Sequence, residues 1–485
     1  MTRPWFAGLT LALALSACAR PTPEQAVVNA AAEALGGRER VEGLRTLVLQ
    51  GGGTAWNLGQ DMTMDATGQQ FELEPYTASI DVAGGRMRVE ETRTPNFLYY
   101  QGPQAQSRVS GLDGDIAYTM AAGGTASRQS ARTAAERLAE FYHHPPVLVH
   151  AALQPGATLA NARTVDDRRL VDITPTGTDQ VFTLAIDQET GLPLSIESTG
   201  TNPNLGDVVI RATFDGWANA SGVYVPLNVT VTTGGYKTAE YHYTDIDVNE
   251  DAGDLAAPPA AADAAVPAAP AVSVTAEKVG TGVWLVAGQS HNSAVVEFAD
   301  HLLLIEAPQS EARTEAVMAK ARELVPGKPL TTLLSTHHHF DHTGGLRAAV
   351  AAGLTVITQR ANEAYYKDAV GRPHTIEPDA LQRAPKALTI ETVDDSRVLE
   401  DATQRMEIYH LSGNPHGDAI LMAYFPKDRL IVEADAFSSN FDYNPYAANL
   451  LQHIRDRGLR VDRIVPLHGE PVSFEQFAKE VDAQK

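Results

Sequence analysis

The chain has 485 residues, 44% of them hydrophobic, a formal net charge of −22 and a single cysteine. Length and apolar content suffice for two cored domains, and so acidic a chain offers no basic surface to neutralise phosphates, which excludes a nucleic-acid substrate. One cysteine excludes an internal disulfide, and beyond it no thiolate is available, so any metal site must be built from His, Asp and Glu.

Residues 1–17 read as an export signal and not as part of the fold. Arg3 supplies a small positive start, and residues 5–15 are apolar but too short to span a bilayer. The segment ends in Leu15-Ser16-Ala17-Cys18, which resembles the bacterial lipobox. That resemblance makes residues 1–18 a lipoprotein signal and implies that Cys18 is lipidated and becomes the mature N-terminus. An exported, periplasmic protein follows, held to a membrane by lipid and not by a spanning helix. Ala19 after the cysteine favours the outer membrane. A plain cleaved secretory signal is the alternative.

Residues 19–250 open with Val27, Ala31, Leu35 and Val41 at near-helical spacing, which predicts a helix over 25–44 broken at Gly36-Gly37. Short alternating segments follow, among them 86–90, 180–186 and 227–232, separated by turn signals such as Gly111-Leu112-Asp113-Gly114 and Glu189-Thr190-Gly191. They predict a mainly antiparallel β (α+β) domain with one further helix over 133–153. The stretch 187–194 resembles the curved-sheet domains of periplasmic lipoprotein carriers, which implies a half-open sheet around a helix and room for an acyl chain. His143-His144 before Pro145-Pro146 reads as a helix end, and this half shows no catalytic constellation. Residues 251–272, nearly all Ala, Pro and Asp, read as a semi-extended linker.

Residues 273–485 alternate strands and helices. Runs at 282–286, 293–298 and 301–306 precede a predicted helix over 310–325, and 329–335 reads as a buried strand. That strand leads into Thr336-His337-His338-His339-Phe340-Asp341-His342-Thr343-Gly344-Gly345. Of 15 histidines in the chain, four fall here within 337–342, interleaved with an Asp. Imidazoles and a carboxylate in a loop at the carboxyl end of a strand are a donor set for zinc and similar divalent ions. Three later apolar runs end in His416, Asp435 and His468.

The order H-x-H-x-D-H, then His, Asp and His, each after a strand, resembles the metallo-β-lactamase-fold hydrolases from about residue 273 onward. The resemblance implies an α/β four-layer αββα sandwich for the C-terminal half. It also implies that His337, His339 and His416 hold one metal, that Asp341, His342 and His468 hold the second, and that Asp435 bridges the two. Two zinc ions are the implied cofactors, with iron or manganese as alternatives, and the implied reaction is hydrolysis by metal-activated water, with Asp341 orienting the nucleophile and taking its proton. Glu306 stands where the family usually places an Asp that braces the metal loop. Asp435 matches the bridging residue of glyoxalase II-type hydrolases, whereas true zinc β-lactamases carry Cys or Ser there.

His338 is expected to point away from the metals and His410 to pack within its strand. His374, Asn440, Tyr443, Asn444 and Tyr446 are candidates to line a substrate cleft. No Lys/Arg cluster stands ready to clamp a phosphodiester, so the expected small-molecule substrate has a carboxylic ester, thioester, lactone or amide bond. The competing readings are an iron-dependent oxygenase on the same fold, a β-lactamase, and a non-catalytic lipid- or partner-binding lipoprotein.

Overall fold

A computed structural model describes residues 20–61, 63, 69–97, 104–269 and 271–484. Cys18 and the export signal lie outside the described residues.

The first helix, Pro23–Ala34, begins with a reciprocal cap. The Thr22 hydroxyl accepts from Gln25 N at 3.2 Å, and the Gln25 side chain accepts from Thr22 N at 3.0 Å. It ends at Gly36 and Gly37, both at positive φ, and a short second helix, Arg38–Glu42, follows. The single helix expected over 133–153 is two, Ala131–Tyr142 and Pro145–Leu153. Pro145 lacks the N–H that would continue the first helix and pushes His144 into extended backbone, so a new helix starts there. An antiparallel sheet of 13 strands wraps these helices. Its first strand, Thr46–Trp56, pairs with both Gln70–Asp81 and the last strand, Tyr236–Val248. Val27, Ala31, Leu35, Val147 and Leu148 of the helices pack on Leu47, Ile80, Phe182 and Leu184 of the sheet.

The Ala/Pro segment is more ordered than its composition predicts. Ala257 and Ala261 are buried against Tyr118 and Ala126, Asp113 accepts from Ala257 N at 2.9 Å, and Arg128 donates to the Ala264 carbonyl at 2.9 Å. Methyl side chains lie close enough to an aromatic surface to be buried there, so the segment is a strap on the first sheet.

The C-terminal half is a sandwich of a seven-stranded and a six-stranded sheet. In the first, Leu302–Ile305, Leu330–Leu334, Thr355–Gln359 and Thr389–Val393 run parallel. The second contains Leu421–Phe425, Leu430–Glu433 and Arg463–Pro466, the last two parallel. Leu303, Ile305, Ile408, Ala423 and Val465 form the core between the sheets. Glu311–Leu324, Leu346–Ala352 and Glu363–Gly371 cover the outer face of the first sheet, and Ala447–Asp456 and Phe474–Ala483 that of the second. This is the αββα order of layers.

The two halves share a core. Leu205 and Val208 of the N-terminal sheet belong to the same apolar cluster as Leu346, Tyr365 and Tyr366. Asp207 accepts from Thr375 N, Thr375 Oγ1 and Ile376 N at 2.6–3.1 Å. Among the described residues no helix is long and apolar enough to cross a membrane.

Candidate metal centre

Parallel pairing of Leu330–Leu334 between its two neighbours makes the 335–342 loop leave at the carboxyl edge of the sheet. The next strand end supplies its brace, since Glu306 is fully buried and accepts from Thr336 N at 2.6 Å. The Tyr366 hydroxyl donates to the His337 carbonyl at 2.9 Å. Gly344 and Gly345 let the loop close on the start of the Glu311–Leu324 helix. A Cβ on Gly345 would lie 1.9 Å from Thr314 Oγ1, and one on Gly344 would lie 2.3 Å from the Gln309 carbonyl. Glu306 and Asp435 both sit at positive φ, +70° and +66°, the kind of strained backbone that packing must hold in place. At Asp435 the buried Glu433 carboxyl does so by accepting from Ala436 N and Phe437 N at 3.0 and 3.2 Å.

The seven residues expected as ligands converge. Asp435 Oδ2 lies 2.9 Å from His416 Nε2, 3.1 Å from His342 Nε2 and 3.4 Å from His337 Nε2. Its Oδ1 is 2.8 Å from His468 Nε2. His337, His339, His416 and Asp435 form one group able to hold an ion, and His291, Asp341, His342 and His468 another. Asp435 thus touches imidazoles from both groups, which is the placement of a bridging carboxylate.

The ionisation states suit a cation. Burial pushes His337 down to about 3, helped by the neighbouring His342, and burial with His416 and His337 alongside holds His339 well below its usual range. Burial alone would raise Asp435, but the imidazoles of His342, His468 and His416 outweigh it and keep the carboxyl well below the usual range. Burial would likewise lower His342, yet Asp435 and Asp341 raise it well above. Neutral imidazoles and ionised carboxylates are the ligand forms, and an ion entering here displaces the His342 proton. His339 Nε2 lies 2.8 Å from the Asp61 carbonyl, which leaves Nδ1 buried without a hydrogen-bond partner. His342 and His468 face each other with Nε2 atoms 3.1 Å apart. An orphaned buried nitrogen and crowded imidazoles fit divalent metal ions.

Chain order gave no notice of three contributors. His291 Nε2 lies 2.8 Å from Asp341 Oδ2, and its ring stands 4.1 Å from that of His468. It stands in Ser290-His291-Asn292, ahead of the strand Ser293–Glu297, whereas the expected ligands all follow a strand. Buried Arg313 holds the His291 carbonyl at 3.0 Å, and Asn292 ties the turn to the Gly469 carbonyl at 2.9 Å. The other two come from the N-terminal half. Gln60 Nε2 donates to Asp341 Oδ1 at 2.6 Å, and the Asp61 carbonyl meets both His338 Nε2 and His339 Nε2, at 2.9 and 2.8 Å. No local pattern around residue 60 announces this.

The centre opens into a cavity of about 440 Å³. Asn444 lines it, though its amide is spent on Ser438 N and the Phe441 carbonyl at 2.8 and 3.0 Å. Tyr446 of the same loop also lines it, with Phe441 beside it, whereas Asn440 and Tyr443 are not among the described residues of the cavity wall. His374, expected to face substrate, stands at the domain interface: the carbonyl of Pro373 accepts from Asp207 N at 2.8 Å, and the His374 ring lies 3.6 Å from Asp379. His338 stays outside both ligand groups, as expected. His410 is half-buried with Nε2 2.7 Å from the Asp418 carbonyl.

A His/Asp cluster at the strand ends of an αββα sandwich defines a metallo-hydrolase. Residues 286–459 match the sequence profile of the Metallo-beta-lactamase superfamily, and the C-terminal half has the metallo-beta-lactamase fold. Solved structures similar to the chain include a metallo-beta-lactamase from Pontibacter korlensis, with 15% identity over 44% of this chain and 98% of that one and a TM-score of 0.34. Another is from Hirschia baltica, with 17% identity, 44% and 97% covered and a TM-score of 0.33. A third is FIM-1 from Pseudomonas aeruginosa in its mono-zinc form, with 15% identity, 44% and 94% covered and a TM-score of 0.34.

Proposed function

We propose that this metallo-hydrolase works with two zinc ions and cleaves a carboxylic ester, thioester, lactone or amide outside the cytoplasm. The observation that carries the reading is Asp435, whose two oxygens reach imidazoles of both ligand groups at 2.8–3.4 Å. A metal pair held there supplies an activated water and a Lewis acid at neutral pH. His337, His339 and His416 hold one ion, and Asp341, His342 and His468 the other. Asp341, tied on one oxygen by His291 and on the other by Gln60, orients the attacking water and accepts its proton. Glu306 keeps the 335–342 loop in register through Thr336.

The test is metal content of the purified protein together with a panel of esters, thioesters, lactones and β-lactams. The expected result is two zinc ions per chain with turnover of at least one class. His339→Ala should lose metal and abolish turnover while the circular dichroism of the sheets is unchanged, and full turnover in that variant removes the site. One iron and no hydrolysis transfers the reading to oxygen chemistry. The lipobox supports anchoring through Cys18, and continued membrane partitioning of Cys18→Ser would refute it.

A second reading concerns the N-terminal sheet alone. A cavity of about 360 Å³ lies beneath it, lined by Leu47, Leu49, Tyr76, Ala139, Phe214 and Val229 among others, and its apolar wall supports holding an acyl chain. A fluorescent fatty acid that binds the wild type and is not displaced by Ala139→Trp would sink this.

A further inference from the structure

We propose that the cavity beneath the N-terminal sheet takes an apolar molecule bearing a protonated amine, with the Glu140 carboxylate receiving the ammonium group. The proposal rests on the reading of that cavity as a site for an apolar chain, and it names the head group admitted there.

The cavity wall is apolar along Leu47, Leu49, Phe214 and Val229, yet three carboxyls, Glu91, Glu136 and Glu140, line it as well. No Lys or Arg stands among the described residues of that wall. Glu136 and Glu140 lie one turn apart on the Ala131–Tyr142 helix. Glu91 comes from the strand Arg86–Asn96, close enough for its charge to raise Glu140 further. Burial raises all three carboxyls, which marks a place where negative charge lacks compensation.

The three differ in what they already hold. Glu91 lies 3.8 Å from Arg108, and Glu136 lies 3.6 Å from Arg132. Glu140 forms no hydrogen bond and no ion pair among the described residues. Arg137 is the cation that acts on it from a distance, and its guanidinium is engaged elsewhere. Its Nη1 donates to the Gly111 carbonyl at 2.7 Å and also to the Tyr118 carbonyl. The pull of Arg137 falls short of burial, so the Glu140 carboxyl stays raised, to about 7.

Tyr76, Tyr241 and Tyr243 line the same cavity, and each is raised further by the charge of Glu140, which places the three phenols near that carboxyl. Their ring centroids lie 4.7–6.3 Å from one another. Tyr243 is 3% exposed, and its hydroxyl has no hydrogen-bond partner among the described residues. Phenol rings attract a cation, and a free phenol oxygen accepts from an ammonium. An entering ammonium therefore supplies the missing partner of a buried carboxylate, whereas the carboxylate of a fatty acid meets like charge. The net charge of −22 acts in the same direction at long range. A volume of about 360 Å³ suits one small molecule.

The test uses the full chain at pH 8, where Glu140 is ionised, and three probes of one length, decylamine, decan-1-ol and decanoate, with binding read by calorimetry. The wild type should bind decylamine about tenfold or more tighter than decan-1-ol, with decanoate weakest. Glu140→Gln should remove the advantage of the amine, leave decan-1-ol binding unchanged and not lower the urea midpoint. Equal affinity of the wild type for amine and alcohol, an amine advantage that survives in Glu140→Gln, or equal losses of both probes there overturns the proposal. Those outcomes leave the apolar-chain reading standing. Failure of all three probes to bind the wild type removes that reading, and the proposal with it.

Discussion

The nitrogen of a ligating imidazole that faces away from the metal sets the tautomer and aim of the ring. For His339 that nitrogen meets a backbone carbonyl from the other half of the chain, Asp61, which leaves Nδ1 as the donor for an ion. His291 is positioned with equal care: Gln309 Nε2 donates to its Nδ1 at 3.1 Å, so its Nε2 carries the proton shared with Asp341. Through Asp341 it steadies the second ligand group, beside which it lies. His291→Ala is therefore expected to weaken the second zinc equivalent about 10–100-fold and to leave the first tight. Two unchanged equivalents in a zinc titration against a chromogenic chelator would show that His291 plays no part. The seven expected ligand positions were legible because they stand after four apolar runs, four positions together at 337–342 and one each at 416, 435 and 468. His291 was not, because it precedes a strand and lies 50 positions from Asp341.

At the scale of elements, strand ends deliver the chemistry and close contacts hold it. The 335–345 loop has Glu306 beneath it and the Glu311–Leu324 helix against its glycines. Gly345→Ala would drive a methyl into Thr314 Oγ1 and the Ser310 carbonyl, 1.9 and 2.9 Å from the new Cβ. The expected cost is about 1–3 kcal/mol from overpacking, seen as a lower urea midpoint together with weaker metal retention. A midpoint unchanged within error would mean that the helix yields freely. Periodicity found the Glu311–Leu324 helix nearly to its ends, since Ser310 caps it at Arg313 N. It ran two helices together at 133–153, where Pro145-Pro146 should have counted as a fresh start.

For the whole molecule, stability and function both depend on how the N-terminal sheet is assembled. Glu140 lines the cavity beneath it, and burial raises its carboxyl to about 7, with Arg137 opposing and Glu91 reinforcing. A carboxyl raised in the fold contributes stability that is fully present below its unfolded value and is lost as pH climbs through the folded one. The wild type should thus lose on the order of 3 kcal/mol relative to Glu140→Gln between about pH 4.5 and 7. Urea unfolding at pH 4.5, 6 and 8 checks this, and a wild-type-to-variant difference that does not move with pH would rule it out.

The amino-acid sequence by itself determined the donor types, their order and their delivery from strand ends, because each is written within ten residues of chain as an apolar run followed by a polar turn. It also determined that the metal site is built without sulfur. Only the tertiary structure decided that the catalytic cavity has a second wall. Gln60 and Asp341 are 281 positions apart, and nothing local in a β-strand states which distant loop its turn will touch. That pairing is settled by the packing of Leu205 and Val208 into the second domain's core, a contact whose driving force is non-directional burial and whose partners no short stretch of sequence names.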